Sequence, residues 1–221
     1  MTTPDLALPS LLSRLPIFPL PGAQLFPHAL LPLHIFEPRY RAVTRDCLAG
    51  TRQLAIAVLA PGSEADPQGR PAVYPVCGVG QIVHHHAYPD GRYDILLQGL
   101  GRVRITTELP PDEPYRLVTA ERLDDVKAEP GLIAASHKAL LALCDRLAAA
   151  FPQGGETLRD LAHQESDPAA ATDLLAAALV TEPTERQRLL ETLDVAARLD
   201  HLTATLADLI TRFQCAPSPT N

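Results

Sequence analysis

Over the first 127 positions the apolar residues come in short runs broken by proline, glycine and charge, as strands require and long helices do not. The segments "SRLPIFPL" (13–20) and "LLPLHIF" (30–36) are Pro-flanked strands, because proline suits strand starts and edges where its missing N–H costs no ladder bond. "RQLAIAVLA" (52–60) carries a continuous apolar run from Leu54, fit for a buried strand, and the Gly/Pro-rich "APGSEADPQGRPA" (60–72) that follows predicts a mobile loop. Between 74 and 109 the pair Asp90-Gly91 separates two strand-like runs and predicts a two-residue type I′ turn, and "QGLG" (98–101) predicts a second reversal. In "GRVRIT", Val103 and Ile105 alternate with Arg102 and Arg104, the mark of a half-buried strand, and "YRLVTAERL" (115–123) is the last strand. At least six strands with short turns predict an antiparallel sheet that closes on itself, which removes exposed edges.

One helix interrupts this region. In "HIFEPRYRAVTRDCLAG", Pro38 suits a first helical turn and Gly50 a stop, so the helix spans about 38–49. Tyr40, Val43, Thr44, Cys47 and Leu48 share one face, with Arg41 and Arg45 on the other. Glu37 then sits at the helix N-terminus, where negative charge is favoured by about 0.3–1 kcal/mol. Arg41, four residues on, is placed for an ion pair with Glu37 worth about 0.2–0.5 kcal/mol. Tyr40 is expected to dock the helix and satisfy a buried polar group with its hydroxyl. The charges of "LPLHIFEPRYR" thus read as structural trim rather than a catalytic cluster.

After "DDVKAEPG" (124–131) the period becomes 3.6. Ile133, His137, Leu140, Leu141, Cys144, Leu147, Ala148 and Phe151 follow helical spacing, and "ETLRDLAHQES" is a shorter helix. Asp167 caps a third with Pro168 at its first position, and "EPTERQRLLETL" repeats the early proline. Asp194 caps a last helix striped by Leu199, Leu202, Leu206, Leu209, Ile210 and Phe213. About five helices with short links predict a bundle. The organisation expected is a β-rich part at 10–127, a helical part at 128–214 and a disordered tail at 215–221 that ends "APSPTN".

Charge narrows the function classes. Residues 1–127 hold 12 basic against 13 acidic residues, and 128–221 hold 7 against 13. Neither part carries the basic footprint that phosphate contacts demand of a nucleic-acid binder. Cys47, Cys77, Cys144 and Cys215 form no C-x-x-C pair, which argues against a zinc knuckle or redox motif. No stretch of about 18 uninterrupted apolar residues predicts a membrane span, and "MTTPDLALPSLLSRLP" lacks a basic leader region, so a cytoplasmic chain is expected.

Candidate chemistry is sparse. A P-loop needs G-x-x-x-x-G-K-[ST], and the two lysines, Lys127 and Lys138, do not follow glycine. G-x-S-x-G is absent. "GVGQIV" lacks the third glycine of a dinucleotide fingerprint and enters a strand, so its glycines fit a bulge or close backbone packing. A Cys–His nucleophilic site is not excluded by spacing. In His84-His85-His86 a strand puts only His84 and His86 on one face, ~7 Å apart, a weak metal-ligand pair needing a third donor. A two-residue Asp90-Gly91 turn would set Leu97 and Ile95 across from them and Asp94 across from Ala87. No carboxylate would then face either imidazole, so surface histidines are the preferred reading and no metal or cofactor is expected.

Three blocks carry a family resemblance. "LPIFPLPGAQLFPHALLPLHIFEPRYR" resembles the opening of the Lon protease N-terminal, substrate-binding domain, with Phe18, Pro19, Phe36, Glu37, Pro38, Arg39, Tyr40 and Arg41 as its motif residues. "GVGQIVHHHAYPDGRYDILLQGLGRVRI" is similar to the family's second block and "PTERQRLLETLDVAARLDHLTATL" to its helical block. The resemblance implies an α+β fold: a PUA-like antiparallel pseudo-barrel with one inserted helix, then a helical bundle. It further implies a standalone, non-enzymatic module that binds unfolded or partner polypeptide. The protease's Ser–Lys dyad finds no counterpart, since Ser136 and Lys138 are two apart on a helix and point away from each other. Binding is expected in a groove between the two parts, with His86, Tyr88 and Tyr93 at the hairpin tip as candidates. Nucleic acid and membrane are not expected partners, and self-association is left open. The alternatives are a hydrolase with an unrecognised site and a PUA-like RNA-binding protein.

Overall fold

A computed structural model describes residues 8–63, 70–150 and 154–215, the side chains of 212–215 excepted. The loop expected to be mobile at 60–72 falls in part, and the tail beyond Cys215 wholly, outside these residues, as does Phe151. The chain separates after Asp124 into two compact units.

The first unit holds β1 (Leu11–Leu20), β2 (Leu30–Ile35), α1 (Pro38–Ala49), β3 (Gln53–Val58), β4 (Val76–Ala87), β5 (Tyr93–Glu108) and β6 (Arg116–Leu123). Strand order is β2-β5-β4-β3-β1-β6, and β6 pairs again with β5, closing a ring. β5 pairs with β4 along one side and is long enough to serve two further partners on the other. Its first part, Tyr93–Gln98, pairs with β2, and Arg102–Glu108 pairs with β6.

Two expectations are corrected here. The sheet is mixed, because β1 and β3 run parallel with Ile17 opposite Ala55. A parallel pair needs a crossover of a dozen or more residues, and α1 supplies it between β1 and β3. The reversal expected at "QGLG" does not occur, because Gln98–Gly101 lie inside β5. Gly99 is there for a close approach instead. A Cβ on it would lie 2.0 Å from the carbonyl oxygen of Phe26, and one on Gly78 would meet that of Leu25. The segment before β2 crosses the sheet at backbone distance, which only glycine permits.

β3 is buried on both faces. Ala55 and Ala57 join Leu15, Ile17, Val79, Val103 and Val118 in one core. Leu54 and Ile56 join Phe18, Ile35, Ile82, Leu97 and the buried face of α1 in another. Tyr40 lies against Phe18 with ring centroids 3.8 Å apart, and its hydroxyl donates to the carbonyl oxygen of Pro19 at 3.3 Å. Glu37 precedes α1 in extended conformation without a side-chain cap. The ion pair expected between Glu37 and Arg41 does not form. Glu37 accepts from Arg39 Nε at 3.1 Å, and Arg41 Nε donates to the carbonyl oxygen of Gly91 at 2.7 Å. A half-buried carbonyl at the hairpin turn thus wins over an exposed pair of low value.

The second unit carries α2 (Pro130–Ala150), α3 (Gly155–Gln164), α4 (Pro168–Leu179), α5 (Pro183–Glu191) and α6 (Val195–Cys215). α4 and α6 start on side-chain caps: Asp167 accepts from the Ala170 amide and Asp194 from that of Ala197. Leu140, Cys144 and Leu147 of α2 and Leu199, Leu202 and Leu206 of α6 are buried. Arg198, fully buried, donates from both terminal nitrogens to Asp125 at 2.8 Å and lies 3.4 Å from Asp173.

Candidate functional site

The hairpin between β4 and β5 turns over Tyr88–Arg92. The Tyr88 amide donates to Arg92 O and the Gly91 amide to Tyr88 O, both at 2.9 Å, with Gly91 at φ +81°. This is a three-residue loop with a left-handed glycine, so the two-residue turn is corrected, and with it the register. Including a bulge between Ile82 and His84, the pairs are His84 with Leu96, His85 with Ile95, His86 with Asp94 and Ala87 with Tyr93. A carboxylate therefore does face an imidazole.

Asp94 is the centre of the resulting cluster. β2 sets His34 opposite it, and His34 Nδ1 lies 2.6 Å from Asp94 Oδ1. Beside a carboxylate, which can only accept, this nitrogen is the donor. The Tyr88 hydroxyl donates to Asp94 Oδ2 at 2.5 Å. That bond, then the one from His34, holds the Asp94 carboxyl below its ordinary range, and the same bond raises the Tyr88 phenol. The His86 ring meets Tyr88 edge-on at 4.7 Å, His34 stacks with Phe36 at 6.2 Å, and the Arg92 guanidinium covers Tyr88 at 5.4 Å.

Around this cluster the sheet is apolar and open. Leu30, Pro32 and His34 of β2, and Phe36 just past its end, alternate onto the exposed face, Leu30 being 59% and Phe36 61% exposed. Val83, exposed on β4, and partly exposed Leu96 on β5 lie on the neighbouring strands. Of the residues expected at the tip, His86 and Tyr88 belong to this face. Tyr93 packs against the core that holds Ile35 and Ile95. Sequence reasoning did not find His34 or Asp94 as partners, because a one-residue change of turn length moves every cross-strand pair.

Chemistry elsewhere is quiet. Among the described residues no group of three or more His, Cys, Asp or Glu side chains could hold a metal ion, and no helix is long and apolar enough to cross a membrane. Burial pushes the Cys47 and Cys77 thiols up to about 12 and Cys144 to about 11, which removes the thiolate a nucleophile needs. A cleft of about 230 Å³ beside Tyr40 and Tyr115 is lined by Arg39, Arg70 and Arg116. Arg116 and Arg70 share Glu108, and Arg39 is paired with Glu37, so each of the cleft's cations already has a carboxylate partner.

Comparison with known proteins gives one consistent result. The sequence model of the ATP-dependent protease La (LON) substrate-binding domain matches residues 14–208. The Lon protease of Dictyoglomus thermophilum is 28% identical over 190 residues, 86% of this chain and 24% of that protein. The Lon protease of Phenylobacterium zucineum is 29% identical over 185 residues, 83% of this chain and 23% of that protein. The chain thus spans about a quarter of the length of these relatives. The N-terminal domain of a Mycobacterium avium complex Lon protease superposes with TM-score 0.68 at 20% identity, covering 89% of this chain and 99% of that one. A Lon N-terminal domain protein from Xanthomonas campestris gives 0.60 at 24%, covering 87% and 98%.

Proposed function

The chain belongs to the LON substrate-binding domain family, and from that premise we propose that it is a non-enzymatic module that binds unfolded polypeptide on the outer face of β2, β5 and β4. The observation that carries this reading is the exposed stripe of Leu30, Pro32, His34 and Phe36 beside Tyr88 and His86. Contiguous apolar surface of this kind is what an unfolded segment, itself rich in exposed apolar side chains, is recognised by.

The chemistry of the face supports binding over turnover. Asp94 is occupied by His34 and Tyr88, so it is a fixed carboxylate that orients aromatic groups rather than a free base. The missing P-loop and Ser–Lys dyad argue the same way. In this reading the closed ring of the first unit is a PUA-like pseudo-barrel and the helices of the second form a bundle. The reading takes the chain as acting in the cytoplasm, without nucleic acid or membrane as partner.

A photoreactive residue in place of Phe36 tests it. It should crosslink to reduced, unfolded α-lactalbumin and not to the native, disulfide-bonded form. Equal labelling of both forms, or of neither, contradicts the reading.

A further inference from the structure

Among the described residues β2 is the one strand of the ring's sheet that pairs on one side only along its whole length, with β5; β4 has a second partner, β3, but only as far as Gln81. The alternation of its bonds follows from one contact. The Gly99 amide donates to Ala29 O at 2.9 Å, while Gly99 O accepts from the His28 amide rather than from Ala29. Ala29 opposite Gly99 is therefore a hydrogen-bonded position. Counting along the ladder in steps of two makes Leu31, Leu33 and Ile35 bonded to β5. The backbone groups of Leu30, Pro32 and His34 point the other way, off the open side.

The same residues put their side chains on the exposed face. Leu31 and Leu33 face the core as Ile35 does, while Leu30, Pro32 and His34 are exposed. Pro32 lies at the centre of the unpaired set, where its missing N–H costs no intramolecular bond. The N–H groups of Leu30 and His34 and the carbonyls of Leu30, Pro32 and His34 remain for a partner.

We propose that β2 is a template strand: an extended segment of an unfolded polypeptide adds to its open side, taking backbone hydrogen bonds from Leu30, Pro32 and His34 while its alternate side chains lie beside Leu30, His34 and Phe36. This rests on the reading of the chain as a polypeptide binder and specifies what is bound. The ligand is backbone in extended form, with apolar side chains at every second position, ~7 Å apart, and no required sequence. Backbone bonding explains how one face can accept many sequences, since every residue but proline offers the same donor and acceptor.

Pro32 also selects the occupant. A second copy pairing antiparallel through this edge about its centre would set Pro32 against Pro32, with both central N–H groups missing. An unrelated segment meets only one missing donor. The edge therefore discourages self-association, a recurrent use of proline on open strands, and still admits a foreign strand.

Amide exchange followed by NMR on the full chain is the test, with unfolded β-casein as the probe and fluorescence polarisation reporting binding. The amides of Leu30 and His34 should exchange fast in the free protein and slow by about 10-fold or more at saturation, an opening cost of roughly 1.4 kcal/mol. Saturable binding with those two amides unchanged overturns strand addition and leaves polypeptide binding standing. Absence of binding overturns both. Protection of the same amides without casein, together with a dimer in sedimentation, overturns it in favour of self-pairing.

Discussion

His34 on β2 and Asp94 on β5 face each other across one register position, with Nδ1 and Oδ1 2.6 Å apart. Asp94 also takes the Tyr88 hydroxyl, so one carboxylate ties the edge strand to the hairpin tip. Both bonds favour the ionised form, which is why the carboxyl sits below its ordinary 3.8. A depressed native value contributes stability that is full at neutral pH and is lost as pH falls below the ordinary carboxyl value and through the native one. Tyr88→Phe should raise the Asp94 value back toward normal, read by carboxyl carbon shifts in an NMR titration. An unchanged titration would show that the Tyr88 bond is not made.

Arg41 and Gly91 should behave as a coupled pair. Gly91 has φ +81°, and a Cβ there would lie 1.9 Å from Arg41 Nη2. Gly91→Ala should cost about 1–2 kcal/mol for the left-handed backbone, plus a clash that the flexible Arg41 side chain moves to relieve, breaking its bond to Gly91 O. Adding Arg41→Ala should then cost less than it does alone. Strict additivity in urea unfolding would contradict the contact.

Gly99→Ala and Gly62→Ala separate collision from strain. Gly62 has φ +75° with nothing near its absent Cβ, so alanine should cost only about 1–2 kcal/mol. At Gly99 the obstacle is the backbone of Phe26, which cannot swing aside. Alanine there should cost about 3 kcal/mol or more, the upper range for overpacking. Equal costs would mean that the crossing segment yields.

Arg198 is the stability anchor of the second unit. Its guanidinium is fully buried between Asp125 and Asp173, and Asp173 is itself 1% exposed. Arg198→Met should cost about 3–5 kcal/mol, because it strands a buried carboxylate. Adding Asp173→Asn should recover part of that loss in urea unfolding. A further loss instead would contradict the pairing.

Much of this fold was legible where a local signal decides it. Pro38 and Gly50 bracket α1, Asp167 and Asp194 cap their helices, and the apolar run from Leu54 is the strand buried on both faces. What failed depends on partners distant in sequence. The parallel pairing of β1 and β3 is invisible to a period-two pattern, which is the same for either direction. Gly99 looked like a turn because a glycine needed for close approach to Phe26 has the same letter as one needed for reversal. Arg41 has its sequence neighbour Glu37 in reach and still prefers Gly91, fifty residues on. The candidate face was missed for a related reason. His34 and Asp94 are unremarkable alone, and only the turn length over Tyr88–Arg92 sets the register that brings His86 opposite Asp94, on the strand where His34 also pairs.

Whether the exposed stripe binds polypeptide is measured most directly by fluorescence anisotropy of labelled, unfolded β-casein titrated with the wild-type chain, Leu30→Asp and Phe36→Asp. Both positions are more than half exposed, so the substitutions should leave the urea midpoint within about 0.5 kcal/mol of wild type. The account predicts saturable wild-type binding and a Kd at least about 10-fold weaker for each variant, or roughly 1.4 kcal/mol. Wild-type affinity in both variants, with stability unchanged, would contradict it.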